Sequence, residues 1–449
     1  MGMTQTFQNM RNALRVGTIR DKLLFTLLIL VIYQFVAHVP VIGVERTAMQ
    51  ALLTGEGAGL LQVLNLLSGG AVANFSVIAN GVYPYITASI IFQLLIPVIP
   101  QLEQIQREPG GQEKIQRWTY YASIPMAIMQ SIAQINIFNI LATSGGAQVQ
   151  IIPGFGSDPL LTATVIITMT AGCMFAIWLG ELITEEGIGN GISIIIFAGI
   201  VAIAPQQLVS LFVNSGDRVF LFYNVIMFVV LTVGSVIAII LIQEGVRRIP
   251  VQYGKKVRGR KQYGGATTYI PLKVNPVGMI PLIFAQSVMA FPAILASLLP
   301  DSEFTRNLTL QFGNQQGFVY WFTFFLFTVG FTFFYADVMT QNQNLAENLQ
   351  KQNGFIPGIR PGKRTNDYIQ RVTRRITMVG AVFLGIIAVI PGFVGALNNL
   401  LFQTGTSLQT NAAFVIGGAG LIIVVGVVID TLRQIEAQLV MRNYEGFMR

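Results

Sequence analysis

The sequence predicts an all-α polytopic membrane protein. Of its 449 residues, 53% are hydrophobic and only 11% are charged, whereas about a quarter of the residues in soluble domains are charged. Apolar runs that approach the length of about 20 residues needed to cross a bilayer recur along the whole chain. Lysine and arginine are concentrated in alternate connecting segments, as in membrane proteins that follow the positive-inside rule. Together these observations exclude a soluble domain with a single apolar core.

Ten hydrophobic segments are predicted to be transmembrane helices. They lie at about 23–39, 82–99, 120–140, 160–180, 192–204, 219–243, 277–299, 318–338, 376–393 and 413–429. The fifth is short for a span and can extend through 208–212. The first apolar run is not followed by a small-residue cleavage site, so we expect it to remain as a helix.

The distribution of charge orients these spans. With ten spans both termini lie on one side, and all 28 lysines and arginines lie on that side except Arg46, Arg218 and Arg306. Six acidic residues accompany those three arginines on the opposite side, which gives that side −3. Because the whole chain carries +8, the side with the termini carries +11. This basic side is predicted to be cytoplasmic.

One stretch, 80–95, combines an apolar segment with polar side chains. It begins the second predicted span, and Pro84 lies where a missing N–H costs a helix nothing. Thr87, Ser89 and Gln93 lie within the segment, and lipid tails offer them no hydrogen-bond partner. We therefore expect this helix to face protein or water on at least one side.

A short apolar segment, 60–67, precedes that stretch on the outer side. It is too short to span, and Ser68, Gly69 and Gly70 end it. Two interpretations remain open. It is either an interfacial or re-entrant helix that only packs, or a helix that enters an outer cavity and blocks it.

Two basic loops on the predicted cytoplasmic side, 244–275 and 339–375, are long and contain glycine, proline and aromatic residues. Their charges are consistent with topology alone or with attraction to anionic lipids. Topology needs only a few charges near the ends of the spans. Loops of this length and composition favour docking of an RNA-containing or acidic partner.

Motifs for catalysis are missing from the sequence. Gly254 and Gly362 each precede a lysine, but Ile249 and Pro357 replace the first glycine of a Walker A motif. Nucleophile-elbow and zinc-protease motifs are also missing, and Cys173 is the only cysteine in the chain. Ionisable residues are nearly absent inside the spans, whereas ion-coupled carriers usually need them there. We therefore expect a protein that is not an enzyme and has no cofactor or metal.

Five motifs resemble the SecY family, the central subunits of the bacterial protein-conducting channel. They are GVYPYITASI at 81–90, WLGELITEEGIGNGISIIIFAGIV at 178–201, RRIPV at 247–251, PLKVN at 271–275 and FIPGIRPG at 355–362. The resemblance runs in order from about residue 23 to residue 441. One departure is Glu186, where some members of the family have a basic residue.

The resemblance implies two pseudo-symmetric five-helix halves, here 1–212 and 213–449, around a central hourglass pore. It also implies a ring of apolar side chains at the waist of the pore, and a narrow apolar ring resists ions by dewetting. Carried over by motif, the pore ring is Val82, Ile86, Ile192, Ile196, Ile283 and Ile423.

The resemblance assigns the short outer segment as a plug beneath this ring, at about 60–74. The plug residues are Leu60, Leu61, Val63, Leu64, Leu67, Gly69 and Gly70. It also implies a lateral gate toward lipid, in which weak interhelical hydrogen bonds are exchanged for contacts with a signal sequence. The residues carried over to the lateral gate are Thr87, Gln93, Asn190, Ser287 and Phe291.

The family further implies docking of the SecA ATPase and of the ribosome, through rRNA and ribosomal proteins, on the basic loops. The docking candidates are Arg258, Arg260, Lys261, Arg360, Lys363 and Arg364. Other implied partners are SecE, SecG, signal sequences, nascent polypeptides, anionic lipids, YidC and SecD/SecF.

The expected function is passage of unfolded secretory proteins across the bacterial plasma (inner) membrane, with release of transmembrane segments into lipid. SecA or the ribosome would supply the energy, and both termini would be cytoplasmic. The alternative is a secondary transporter of small solutes, which would show saturable uptake and charges at membrane depth. A membrane-embedded hydrolase is a third class, and the sequence contains no catalytic constellation for it.

Overall fold

The structure is a computed structural model of the chain. It describes residues 17–45, 71–72, 74–144, 151–213, 218–253, 256–258, 261–263, 267–299, 302–313, 317–342, 345–402, 418 and 420–447. These residues are mostly helical, as the composition predicts.

The first half of the chain contains helices with short connections. They are α1 (Gly17–Val36), α2 (Tyr83–Leu95), α3 (Pro100–Arg107), α4 (Gly111–Ser144), α5 (Pro159–Glu186) and α6 (Gly191–Val213). Local sequence sets several of these ends. Pro84, Pro100 and Pro159 lie in the first turns of α2, α3 and α5, where proline is tolerated. Asp158 caps α5, because its Oδ1 accepts a 3.0 Å hydrogen bond from the Leu160 amide.

The second half contains both helices and strands. In order they are α7 (Arg218–Glu244), β1 (Val246–Tyr253), β2 (Lys256–Arg258), β3 (Lys261–Tyr263), β4 (Thr267–Lys273), α8 (Ile280–Leu298), α9 (Glu303–Gly313), α10 (Phe318–Asn342), α11 (Leu345–Lys351), β5 (Gly354–Phe355), α12 (Lys363–Phe402) and α13 (Leu421–Phe447). Each of the ten predicted spans overlaps one of the helices in the two halves.

Several helices are long and apolar enough to cross a membrane. Among the described residues they are Pro159–Glu186, Val225–Glu244, Phe318–Lys351 and Lys363–Leu397. A fifth possible crossing is the pair formed by Tyr83–Leu95 and Pro100–Gln106, which bends by 108° at the break between them. The second predicted span therefore ends at this bend, where Pro97 and Pro100 interrupt the sequence. The number of ten crossings and the twofold relation of the halves stay predictions.

The expectation of an all-α chain is wrong in the basic loops. Strand β1 pairs antiparallel with β4, and Ile249 lies opposite Ile270. Strand β5, from the second basic loop, pairs with the other edge of β1, so that the order is β4-β1-β5. Ile249 and Val251 on β1 are buried in a small apolar cluster with Leu349 and Ile356. One sheet thus joins the two basic loops, which are far apart in the sequence.

The largest apolar core contains buried residues from α1, α2, α4, α5, α6, α7, α8, α10, α12 and α13. The core therefore draws on both predicted halves of the chain. Helix α2 packs against α4 and α8, and α8 also packs against α4. These three helices surround the stretch with polar side chains.

Candidate functional site: an apolar ring and a polar seam

The apolar ring residues predicted from sequence are all described, and they lie in one contiguous core. Val82, Ile86, Ile196, Ile283 and Ile423 are buried in this core, and Ile192 packs against it partly buried. They come from the start of α2 and from α6, α8 and α13. Many other side chains belong to the same core. The structure therefore shows that these six residues share an apolar interior, and their arrangement as a ring stays a prediction.

The backbone at the start of α2 positions Val82, the first of the predicted ring residues. Gly81 has a φ of +52°, a left-handed conformation that favours glycine. Val82 is the N-cap residue that follows, with φ −93° and ψ 4°. Four residues later Ile86 lies on the same side of the helix. The turn at Gly81 thus allows two branched apolar side chains to enter the core at the beginning of the helix.

A seam between α2 and α8 joins the two predicted halves of the chain. The Tyr83 hydroxyl on α2 donates a hydrogen bond of 2.8 Å to the backbone carbonyl of Ser287 on α8. Both residues are buried. The motif resemblance assigns no role to Tyr83, although its position four residues before Thr87 puts it on the same helical face.

The predicted gate residues on α2 bond within their own helix. Thr87 Oγ1 donates to the Tyr83 carbonyl at 3.0 Å, and Gln93 Nε2 donates to Ser89 Oγ at 2.9 Å. Neither hydrogen bond reaches α8, whereas the hydrogen bond from Tyr83 does. Gln93 keeps its position on the helix, but its amide nitrogen is used locally.

Polar atoms without a hydrogen-bond partner occur on the two helices that form this seam and on a helix that packs against both. Among the described residues, Ser287 Oγ, Gln286 Oε1 and Gln93 Oε1 are buried without a hydrogen-bond partner. On α4, which packs against both seam helices, Gln134 Oε1 is in the same condition. Such atoms are costly in an apolar medium. They would gain hydrogen bonds wherever they met water or another polypeptide.

Asn190 and Phe291 occupy different surroundings from the seam bond. Asn190 Oδ1 accepts a hydrogen bond of 3.1 Å from the Ser193 amide, so it caps the start of α6. Phe291 lies on α8 one turn beyond Ser287 and is exposed. Asn190 therefore has a local structural role, and its part in a gate stays a prediction.

The plug residues between Leu60 and Gly70 lie outside the described residues. The described chain resumes with Ala71 and Val72, which are buried. Phe75, also buried, contacts Phe138 edge to face at a ring separation of 5.4 Å. The end of the predicted plug region is therefore anchored in an apolar cluster directly before α2.

The basic docking candidates belong to the loops that the sheet joins. Arg258 and Lys261 face each other in the register of β2 and β3, while their side chains and Arg260 lie outside the part that the structure describes. Arg360 is exposed before α12, and Lys363 and Arg364 are exposed in its first turn. No ion pair joins any of these last three to another described side chain.

Two ion pairs hold helix ends together on the same face. Arg374 on α12 bonds both carboxylate oxygens of Asp337 on α10, at 3.2 Å and 3.0 Å. Arg433 on α13 lies 2.8 Å from Glu244 at the end of α7. These two arginines have ion-pair partners, which distinguishes them from Arg360, Lys363 and Arg364.

Comparison with known proteins identifies similar chains over nearly the full length. A SecY family model matches residues 76–432. Protein translocase subunit SecY of Halalkalibacterium halodurans is 38% identical over 452 residues, covering 99% of this chain and 100% of that protein.

Solved structures share the fold at low sequence identity. One is a SecY channel whose plug domain stabilises the closed state of the translocation channel and maintains a membrane seal. It matches with a TM-score of 0.60 and 17% identity, covering 94% of this chain and 93% of the other. Another is Sec61 in a canine ribosome-channel complex from the endoplasmic reticulum, with a TM-score of 0.57 and 16% identity over 94% and 93% of the two chains.

Proposed function

Because the chain belongs to the SecY family, we propose that it is the central subunit of a protein-conducting channel in the bacterial plasma membrane. It passes unfolded secretory proteins across the membrane and releases transmembrane segments into lipid. The observation that carries this proposal is the hydrogen bond from Tyr83 to Ser287, which joins two helices from different halves beside unpartnered polar atoms. A seam closed by one such bond can open without breaking a large network.

The apolar core supports the same function. A ring of Val82, Ile86, Ile192, Ile196, Ile283 and Ile423 would seal the pore when no polypeptide is present, because a narrow apolar constriction excludes water and ions. Branched aliphatic side chains can still part around an extended polypeptide. The plug, about residues 60–74, would close the outer side, as the plug domain does in the related SecY channel.

Energy and assembly come from partners. SecE and SecG would complete the channel, and SecA or the ribosome would drive it from the basic face. The sheet that joins the two loops supports one continuous docking surface. Beyond β5, Lys363 and Arg364 add positive charge to the N-terminus of α12, where the helix dipole is already positive. Repulsion between these charges and the dipole destabilises the first turn of α12, and an anionic partner would relieve it.

The seam is tested by crosslinking it. Thr87→Cys and Ser287→Cys, joined by a disulfide or a short bismaleimide, should abolish export of a preprotein into vesicles, because α2 and α8 can no longer separate. Reduction of the disulfide should restore export. The wild-type protein, in which Cys173 is fully buried, is the background and should not be crosslinked.

A matched control joins two helices of the same half. Asp337→Cys and Arg374→Cys link α10 to α12, which already share an ion pair, and should leave export unchanged. Export at the wild-type rate by the protein crosslinked between 87 and 287 would show that this seam is not the gate.

Docking is tested by charge reversal. Arg360→Glu should lower the rate of SecA-driven export several-fold while the amount of folded channel stays constant, because an exposed cation between β5 and α12 becomes an anion. Arg371→Glu, also exposed on α12, is the control and should have a smaller effect. Equal losses in the two variants would contradict a specific role for Arg360.

A further inference from the structure

A cavity of about 530 Å³ lies where the start of α4, the end of α5 and the start of α6 meet α2. Its volume falls within the range of roughly 300–1,000 Å³ typical of ligand pockets. Its lining includes Glu113, Arg117, Glu181, Thr184, Glu185 and Ile192, together with three tyrosines. The sequence predicts that Glu113 and Glu185 lie on the same side of the membrane as the basic loops.

The lining is acidic and aromatic. Glu113, Glu181 and Glu185 are opposed by the single cation Arg117, although the predicted cytoplasmic face as a whole is strongly basic. None of the three carboxylates forms an ion pair with another side chain that the structure describes. The cavity is therefore a local site of negative charge on a positive surface.

Three tyrosines add a second feature that suits cations. Tyr85, Tyr120 and Tyr121 line the cavity, and the rings of the last two lie 6.4 Å apart edge to face. Aromatic faces attract ammonium and guanidinium groups, most strongly where water is partly excluded. Thr184 is not free to bind, because its hydroxyl accepts from the Gly191 amide and donates to the Gly180 carbonyl, both at 2.9 Å. The carboxylates and rings therefore define the chemistry.

The cavity adjoins the apolar core that contains the proposed ring residues. Ile192 lines it and also packs against the apolar core that contains the ring residues. Tyr85 lies on α2 between Tyr83 and Thr87. A step of two residues turns a helix by about 200°, so the cavity and the seam lie on nearly opposite sides of α2. A polypeptide with a basic stretch in the cavity would place the residues that follow beside the core at Ile192, from which they pass around α2 to reach the seam.

We propose that this cavity binds the lysine or arginine side chains of the basic stretch that precedes an apolar segment in the transported polypeptide. The inference rests on the proposed function as a protein-conducting channel. A positive segment followed by an apolar segment is the general pattern of a secretory signal. The carboxylates and tyrosines retain the positive segment while the apolar segment reaches the seam.

The test compares two preproteins that differ only before the apolar segment, where one has three lysines and the other has three glutamines. Export of each into vesicles is measured with the complete channel complex. In Glu113→Gln/Glu185→Gln, the ratio of the lysine rate to the glutamine rate should fall about threefold, since each exposed ion pair contributes modestly. The matched control, Glu347→Gln/Glu436→Gln, removes the same charge from the same face outside the cavity and should keep the wild-type ratio.

A contact measurement accompanies the rates. A photoreactive amino acid in place of exposed Tyr121 should crosslink to the three-lysine segment more strongly than to the three-glutamine segment. That difference should shrink at high salt. A wild-type rate ratio in Glu113→Gln/Glu185→Gln, or equal crosslinking of the two segments, would overturn this inference while leaving the channel intact. Failure of the wild-type complex to export either preprotein would instead contradict the proposed function.

Discussion

The seam between α2 and α8 and the contact between α10 and α12 are two helix pairs of opposite character. At the seam, one hydrogen bond from Tyr83 crosses between the helices, and buried polar atoms such as Ser287 Oγ lack partners. Between α10 and α12, the Asp337–Arg374 ion pair closes one end, and aromatic rings fill the space against glycines. The difference agrees with the proposal that α2 and α8 separate while α10 and α12 stay together.

Glycines explain why α10 and α12 approach so closely. A Cβ at Gly385 would lie 2.7 Å from the Phe325 ring, and a Cβ at Gly392 would overlap the indole of Trp321. Small residues let membrane helices pack by close van der Waals contact. Close packing of this kind stabilises the contact between α10 and α12, whereas the contact between α2 and α8 lacks such a fit of glycines to aromatic rings.

The largest effect on folding is expected from Gly392→Ala. The added methyl group forces Trp321 or the backbone to move, and overpacking of this kind typically costs about 1–3 kcal/mol. The midpoint temperature of unfolding, followed by circular dichroism of the purified complex, should fall.

Gly330→Ala on α10 is the matched control, because nothing lies within 4 Å of its added methyl group. Alanine is also the better helix former, so its midpoint should stay constant or rise. Similar midpoints for Gly392→Ala and Gly330→Ala would mean that α10 and α12 are not tightly packed.

A smaller effect, on the gate equilibrium alone, is expected from Tyr83→Phe. The change removes the hydroxyl that crosses the seam and keeps the ring in the core. Hydrogen bonds between membrane helices average about 0.6 kcal/mol, which corresponds to a roughly threefold shift toward the open seam. Export of a preprotein with a weakened apolar segment should rise by about this factor, with little change in thermal stability.

Tyr335→Phe is the control for Tyr83→Phe, since it removes a half-buried hydroxyl on α10, away from the seam, and keeps the ring. It should leave export of the weakened preprotein at the wild-type rate. An unchanged rate in Tyr83→Phe would indicate that the bond to Ser287 does not hold the gate closed.

The sequence predicts the apolar side of this comparison better than the polar side. Val82 and Ile86 are separated by four residues, so helical periodicity together with the motif resemblance places them on one face, and both are buried. Tyr83 was missed because its partner is a backbone carbonyl 204 residues away. Any residue at 287 carries a carbonyl, so no residue pattern signals that bond.

The sheet was missed for a different reason. Strand β1 contains Arg247, Arg248 and Pro250, and its charges obscure the alternation of Ile249 and Val251 that marks a half-buried strand. The paired strand β5 is only two residues long and lies in another loop. Arg247 and Arg248 are exposed, whereas the pairing of the strands depends on contacts distant in sequence.

The smallest effect is expected from Asp337→Asn. Both partners of the Asp337–Arg374 pair are substantially exposed, and exposed ion pairs contribute little even when two hydrogen bonds are made. The midpoint of unfolding should fall less than in Gly392→Ala, and the difference from wild type should shrink in high salt, because screening weakens the pair in the wild-type protein. The exchanged double variant, Asp337→Arg/Arg374→Asp, should recover part of the loss, which isolates the pairwise contribution. A loss as large as that of Gly392→Ala would mean that charge, and not the fit of glycines to aromatic rings, holds α10 and α12 together.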